Sequence, residues 1–203
     1  MTIASICRRQ LFITLVTWVS CVAHADNMQL DANLLLTGMD AGGNDNFKSG
    51  RAIVLQYSYY MNNWLAADVG LMVSDKTLEE SSQDIVGDFR TNVQTQAVLL
   101  GIKPRYRLES LYEFYGRLGL QYWHTELEVE EYFGTGIPAG SSSADDTGYG
   151  YYLGLGVAHY VTEKFIVQFE LRRFEQLDVF EGQTAYPFDL AINAFSVGVG
   201  YRF

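Results

Sequence analysis

The chain closes with Asn193-Ala194-Phe195-Ser196-Val197-Gly198-Val199-Gly200-Tyr201-Arg202-Phe203. Its odd positions hold Phe195, Val197, Val199, Tyr201 and Phe203, and its even positions Ala194, Ser196, Gly198, Gly200 and Arg202. Alternation at a period of two describes a strand lying between two different environments. In a soluble sandwich or lipocalin-like barrel the bulky side would be hidden. Here the bulky set runs without a break to an aromatic at position 203. A membrane barrel accounts for this, because lipid accepts the large face while a narrow lumen accepts glycine, serine and arginine.

The same alternation recurs upstream, over 27–38, 51–61, 64–74, 92–108, 112–129, 148–160 and 165–177. Leu35 breaks the pattern of the first strand, and Pro104, which cannot donate to a ladder, points to a strand end. Asn62-Asn63 reads as a two-residue turn with positive φ, and Glu109-Ser110 and Thr162-Glu163-Lys164 as two more short turns. The stretches 39–50, 75–91, 130–147 and the segment holding Gly182 and Pro187 read as long loops. Short and long connections therefore alternate strictly, the pattern of an outer-membrane barrel with tight periplasmic turns and long outer loops. The fold expected is all-β, an eight-stranded antiparallel up-and-down transmembrane barrel.

Residues 1–25 read as a signal peptide: Arg8 and Arg9 precede the apolar run 11–23, and Ala23-His24-Ala25 fits a cleavage site. The barrel domain is then 26–203. Cys7 and Cys21 both fall in the leader, so the mature chain offers no disulfide. Removing the leader leaves twelve of the fourteen basic side chains against twenty-four acidic ones. So acidic a chain is a poor partner for nucleic acid. No stretch of about twenty apolar residues supplies a transmembrane helix.

An eight-stranded lumen is wide enough only to be filled by side chains. The inward parity carries many small residues together with Asp68, Lys103, Arg105, Arg117, Glu170 and Arg172. Facing lipid, a central Lys or Arg would cost about 2–4 kcal/mol. Inside, the charges must pair, so Asp68 and Glu170 are expected to meet some of the four cations. Outward Tyr57, Tyr59, Tyr106, Tyr122, Tyr149, Tyr201, Phe165 and Phe203 fit aromatic girdles at the two interfaces.

From Gly101-Ile-Lys-Pro-Arg-Tyr through Tyr115-Gly-Arg-Leu-Gly-Leu, then Gly154-Leu-Gly-Val-Ala-His-Tyr-Val-Thr-Glu-Lys-Phe and Phe169-Glu-Leu-Arg, the chain resembles small eight-stranded outer-membrane barrels of the OmpA-like transmembrane-domain family. The resemblance implies interior-charge roles for Lys103, Arg117, Glu170 and Arg172, with Asp68 where Glu is common. It also implies that Tyr201 and Phe203 belong to a signal presented to the barrel-assembly machinery. The chain carries no region matching that family's peptidoglycan-binding domain, which leaves wall tethering unsupported.

The function expected is non-enzymatic: a monomeric integral outer-membrane protein, embedded in lipid and lipopolysaccharide, that displays acidic loops for envelope integrity, adhesion or surface interaction. A narrow ion or solute channel is the alternative. The acid groups Glu79-Glu80, Glu126/Glu128/Glu130/Glu131 and Asp145-Asp146 read as solvated charge, with divalent-cation binding as the sharper reading. Acyl-chain chemistry would need a nucleophile beside a base. His124 and His159 are the only histidines of the mature chain, and both fall on the outward parity. No metal or other cofactor is expected.

Overall fold

The computed structural model describes residues 27–41, 50–74, 80–83, 87–108, 111–133, 137–181 and 188–203; the stretch 1–25, read as a signal peptide, lies outside them. Nine strands follow in order: β1 (Met28–Ala41), β2 (Gly50–Tyr60), β3 (Leu65–Ser74), β4 (Glu80–Gln83), β5 (Gly87–Leu108), β6 (Tyr112–Phe133), β7 (Ile137–Tyr160), β8 (Phe165–Val179) and β9 (Phe188–Arg202). Every paired neighbour is antiparallel. β3 and β4 both pair with β5 and make one interrupted stave. β1 pairs with β9 and β3 with β5, so eight staves close into a barrel.

Parity decides what each side chain meets. Val197 and Val199 are 43% and 59% exposed on the outer face, while Ser196, one position away, is fully buried. The contrast is sharper for adjacent leucines: Leu100 is 65% exposed and Leu99 is 0%. The outer face is thus an apolar belt, which suits hydrocarbon and not water. Phe165, Tyr201 and Phe203 make edge-on ring contacts at the end that bears the short turns. Tyr122 and Tyr149 meet at 5.3 Å towards the other end. Beyond them the outward positions become polar, at Gln96, His124, Arg173 and Asn193, which marks the upper rim of the belt.

Four features differ from the sequence reading. The turn at 61–64 is not a two-residue loop with positive φ; among the described residues only Asp178 and Phe180 are non-glycines with positive φ. Instead the Asn62 Oδ1 accepts the Trp64 and Leu65 N–H groups at 3.0 and 2.9 Å. The Thr162 Oγ1 does the same for Lys164 and Phe165. Pro104 lies inside β5, which continues to Leu108. It marks a local gap instead: pairing with β3 stops there, and the β6 ladder skips from Ile102 to Arg105.

The described parts of 75–91 and 130–147, read as loops, are strand: β4 and the start of β5 in the first, and the ends of β6 and β7 that pair with each other in the second. Their polar sequence hid the pairing, because a ribbon in water needs no apolar face outward. Last, Leu35 does not break its strand; it faces inward and is 0% exposed.

Val197→Arg, at the centre of the apolar belt, is expected to destabilise the folded barrel by about 2–4 kcal/mol. Equilibrium unfolding in urea, in lipid vesicles, reads that loss.

Candidate functional site

All six charged residues predicted for the lumen are buried there. Arg117 on β6 is their hub. Its Nη1 donates to Asp68 Oδ2 at 2.6 Å and its Nη2 to Asp31 Oδ2 at 2.6 Å, while its Nε stands 3.4 Å from Glu170 Oε2. Arg172 grips Glu170 with two bonds of 2.7 Å, a bidentate pair. Ser58 and Gln29 complete Asp68 and Asp31, at 2.5 and 2.7 Å. The expected pairing of Asp68 and Glu170 with lumen cations is therefore present.

Lys103 and Arg105 use acids that the sequence reading did not include. Arg105 Nη1 donates to Glu113 Oε2 at 2.9 Å, and Lys103 Nζ lies 3.6 Å from Asp31 and 4.0 Å from Glu113. Tyr160 also donates to Glu113, at 2.7 Å. A signal for Asp31 and Glu113 existed. Four inward cations against two acids is an imbalance that burial does not tolerate, and these two share the inward parity of their strands. With them the network holds four cations and four anions.

Glycine makes room for it. A Cβ on Gly154 would run into the Glu170 carboxylate, and one on Gly200 into that of Asp31.

The network fills only part of the lumen. Beside the small residues and charges, one section is apolar: Leu35, Val54, Met72, Leu99, Trp123, Tyr152, Phe174 and Ile192 pack together, each at most 1% exposed. Val179 and Phe180 join this cluster from the end of β8. Positive φ at Phe180 is unfavourable for a bulky residue. Burial of its ring and the bond from its N–H to Asp146 Oδ2, 2.5 Å, offset that. Trp123, Tyr152 and Phe174 share the inward parity of their strands; their packing into one layer is a property of the closed barrel.

Above the rim, β4, β5, β6 and β7 continue as a projecting sheet. β7 pairs with β6 from Ile137 to His159 but with β8 only from Gly150 onward. Among the described residues, 137–149 thus form an edge with a neighbour on one side. Glu126 stands directly opposite Asp145, and Glu128 opposite Ser143. The side chains of Glu80, Glu130 and Glu131, and all of Glu79, lie outside the described residues. No group of three His, Cys, Asp or Glu able to hold a metal occurs among the described residues. His124 and His159 lie on the outer side as expected, His159 with its ring 5.0 Å from that of Tyr112.

A closed barrel with an apolar belt, aromatic interfaces and a neutralised charged core is the build of an integral outer-membrane barrel protein. The chain belongs to the outer membrane protein beta-barrel domain family, whose model matches residues 12–203. Among solved structures it is similar to Ail, the attachment invasion locus protein of Yersinia pestis, at 14% identity and a TM-score of 0.54, over 88% of this chain and all of that one. A major outer membrane protein from Thermus thermophilus matches at 12% identity and a TM-score of 0.54, over 87% of this chain and 98% of that one. Neisserial surface protein A matches at 13% identity and a TM-score of 0.50, over 87% and 97%. At such identities the likeness concerns the fold. No curated protein sequence matches.

Arg117→Leu would leave Asp31, Asp68 and Glu170 buried around an apolar side chain. Removing one partner of a buried ion pair costs about 3–5 kcal/mol. Urea unfolding is expected to show at least that loss, and Arg117→Leu with Asp68→Asn to lose less than the two single changes added together.

Proposed function

We propose that this protein is a non-enzymatic, monomeric surface-interaction barrel, which uses the projecting β4–β7 sheet to engage extended segments of partner proteins. The observation that carries the reading is the β7 edge at 137–149, which has no β8 neighbour among the described residues. An unpaired edge offers main-chain donors and acceptors to an incoming strand. Glu126 and Asp145 face each other across β6 and β7. With Glu126 exposed beside it, the edge would favour a partner strand rich in Lys or Arg. The sequence around the edge, with Pro138, Gly140 and Asp145-Asp146, discourages self-association while leaving room for such a partner.

In this reading the barrel is an anchor. The apolar layer around Trp123 and Phe174 supports a closed lumen over the alternative of a conducting path. The outward placement of His159, against the Tyr112 ring, is in keeping with a non-enzymatic role. Export through the leader 1–25, surrounding lipopolysaccharide, and recognition of Tyr201 and Phe203 by the assembly machinery complete the proposal.

Two measurements test it. Purified protein in planar bilayers is expected to give no single-channel steps; discrete steps would favour a pore. A lysine-rich extended peptide is expected to slow amide exchange at 139–147 on the folded barrel. Replacing 128–143 by Asn-Gly, which joins the register pair Leu127 and Ala144, should abolish that binding while the barrel still shifts on boiling in a gel. Equal binding by the shortened protein would refute the edge as the contact.

A further inference from the structure

Outside the neutral core stand two further cations of inward parity, exposed Arg107 and half-buried Arg202. Arg107 on β5 and Arg202 on β9 share the inward parity of Lys103 and Gly200, at the end that carries the short turns. Neither forms an ion pair among the described residues. Each instead rests on an aromatic ring: Arg107 Cζ lies 4.0 Å from the centre of Tyr160, and Arg202 Cζ 5.2 Å from that of Tyr60. Ring faces orient a guanidinium without cancelling its charge. Lys164, in the 161–164 turn, is held similarly, 5.8 Å from the Tyr201 ring.

These three cations line one recess of about 670 Å³ at the periplasmic mouth. Leu111, Tyr160, Val161 and Phe203 supply its apolar wall, and Glu163 is the one acidic side chain lining it. Glu163 is exposed and pairs with none of the three cations among the described residues. Against the three cations stand Glu163 and the main-chain carboxylate of Phe203, which leaves a net positive lining in a chain whose formal charge is −10.

Depth narrows the ligand class. The recess sits level with the ring cluster of Phe165, Tyr201 and Phe203, which marks the membrane interface. An anion bound at that depth, beside apolar side chains, is better matched by an amphiphile's head than by a freely soluble ion. Arginine favours phosphate because its planar fork meets two oxygens at once. We propose that this recess is a binding site for the phosphate of an anionic phospholipid in the periplasmic leaflet. Arg107 and Arg202 would hold the phosphate oxygens, Lys164 would add charge from the turn, and Leu111 and Phe203 would lie against the glycerol and upper acyl chains. The site is independent of the outer sheet and of the reading given to it.

The test is retention of phosphatidylglycerol over phosphatidylcholine by the purified mature barrel, exposed to an equimolar mixture in detergent and read by native mass spectrometry. Wild type is expected to retain phosphatidylglycerol preferentially. Arg107→Gln/Lys164→Gln/Arg202→Gln is expected to lose that preference by roughly tenfold or more. Arg173→Gln, which removes an exposed cation at the opposite end, is expected to change nothing. Heat-modifiable migration confirms folding of each variant. If the triple variant does not fold, Lys164→Gln alone, in the exposed turn, should still weaken retention measurably. Equal retention of both lipids by wild type, undiminished retention in the variants, or an equal loss in Arg173→Gln would overturn the site. Full displacement of the lipid by inorganic phosphate would overturn the lipid assignment in favour of a soluble anion.

Discussion

Backbone satisfaction in hydrocarbon governs this molecule. A strand edge cannot be left open where no water can hydrogen-bond it. The pairing of β1 with β9 removes that edge and fixes the remaining geometry. Once the circle closes at eight staves, the interior is too narrow for anything but side chains. The sequence must then solve two packing problems at once, a bulky apolar exterior and a dense interior of limited volume. Alternation at every second residue solves both, and Leu99 beside Leu100 shows the same side chain serving each in turn.

The interior is divided rather than uniform. Towards the short turns, Arg117 gathers Asp31, Asp68 and Glu170 from three other strands, tying staves that are not neighbours in the sheet. Buried charge of this kind is not in itself stabilising, since desolvation opposes the Coulomb attraction. Its geometric demands, however, fix which strand faces which across the lumen. Further along, Trp123, Tyr152 and Phe174 pack together in an apolar layer. A charged layer and an apolar layer in series give a core with a defined register.

Both ends of the barrel differ from its middle. On one side the staves outrun the apolar belt and become a projecting sheet with acidic positions facing across β6 and β7. On the other, arginines beyond the neutral core rest on tyrosine rings around a recess. The charge is therefore distributed along the axis, with negative side chains on the projecting sheet, balance in the core and positive ones at the mouth. That arrangement suits a protein whose two ends meet different surroundings.

The sequence alone determined the parity of every membrane strand, because lipid contact imposes a period that no neighbour can override. It determined the rhythm of short and long connections, and it placed Asp68, Lys103, Arg105, Arg117, Glu170 and Arg172 inside. It could also have shown that two acids were missing, since charge balance is a sum over residues. Tertiary structure alone decided which acid meets which base, because Asp31 and Arg117 are 86 residues apart and meet only across the closed lumen. It decided that the inward aromatics form one layer, and that the polar stretches 80–91 and 130–147 are mostly paired strand. Pairing partners across a barrel depend on closure and register, and the pattern within any single strand carries neither.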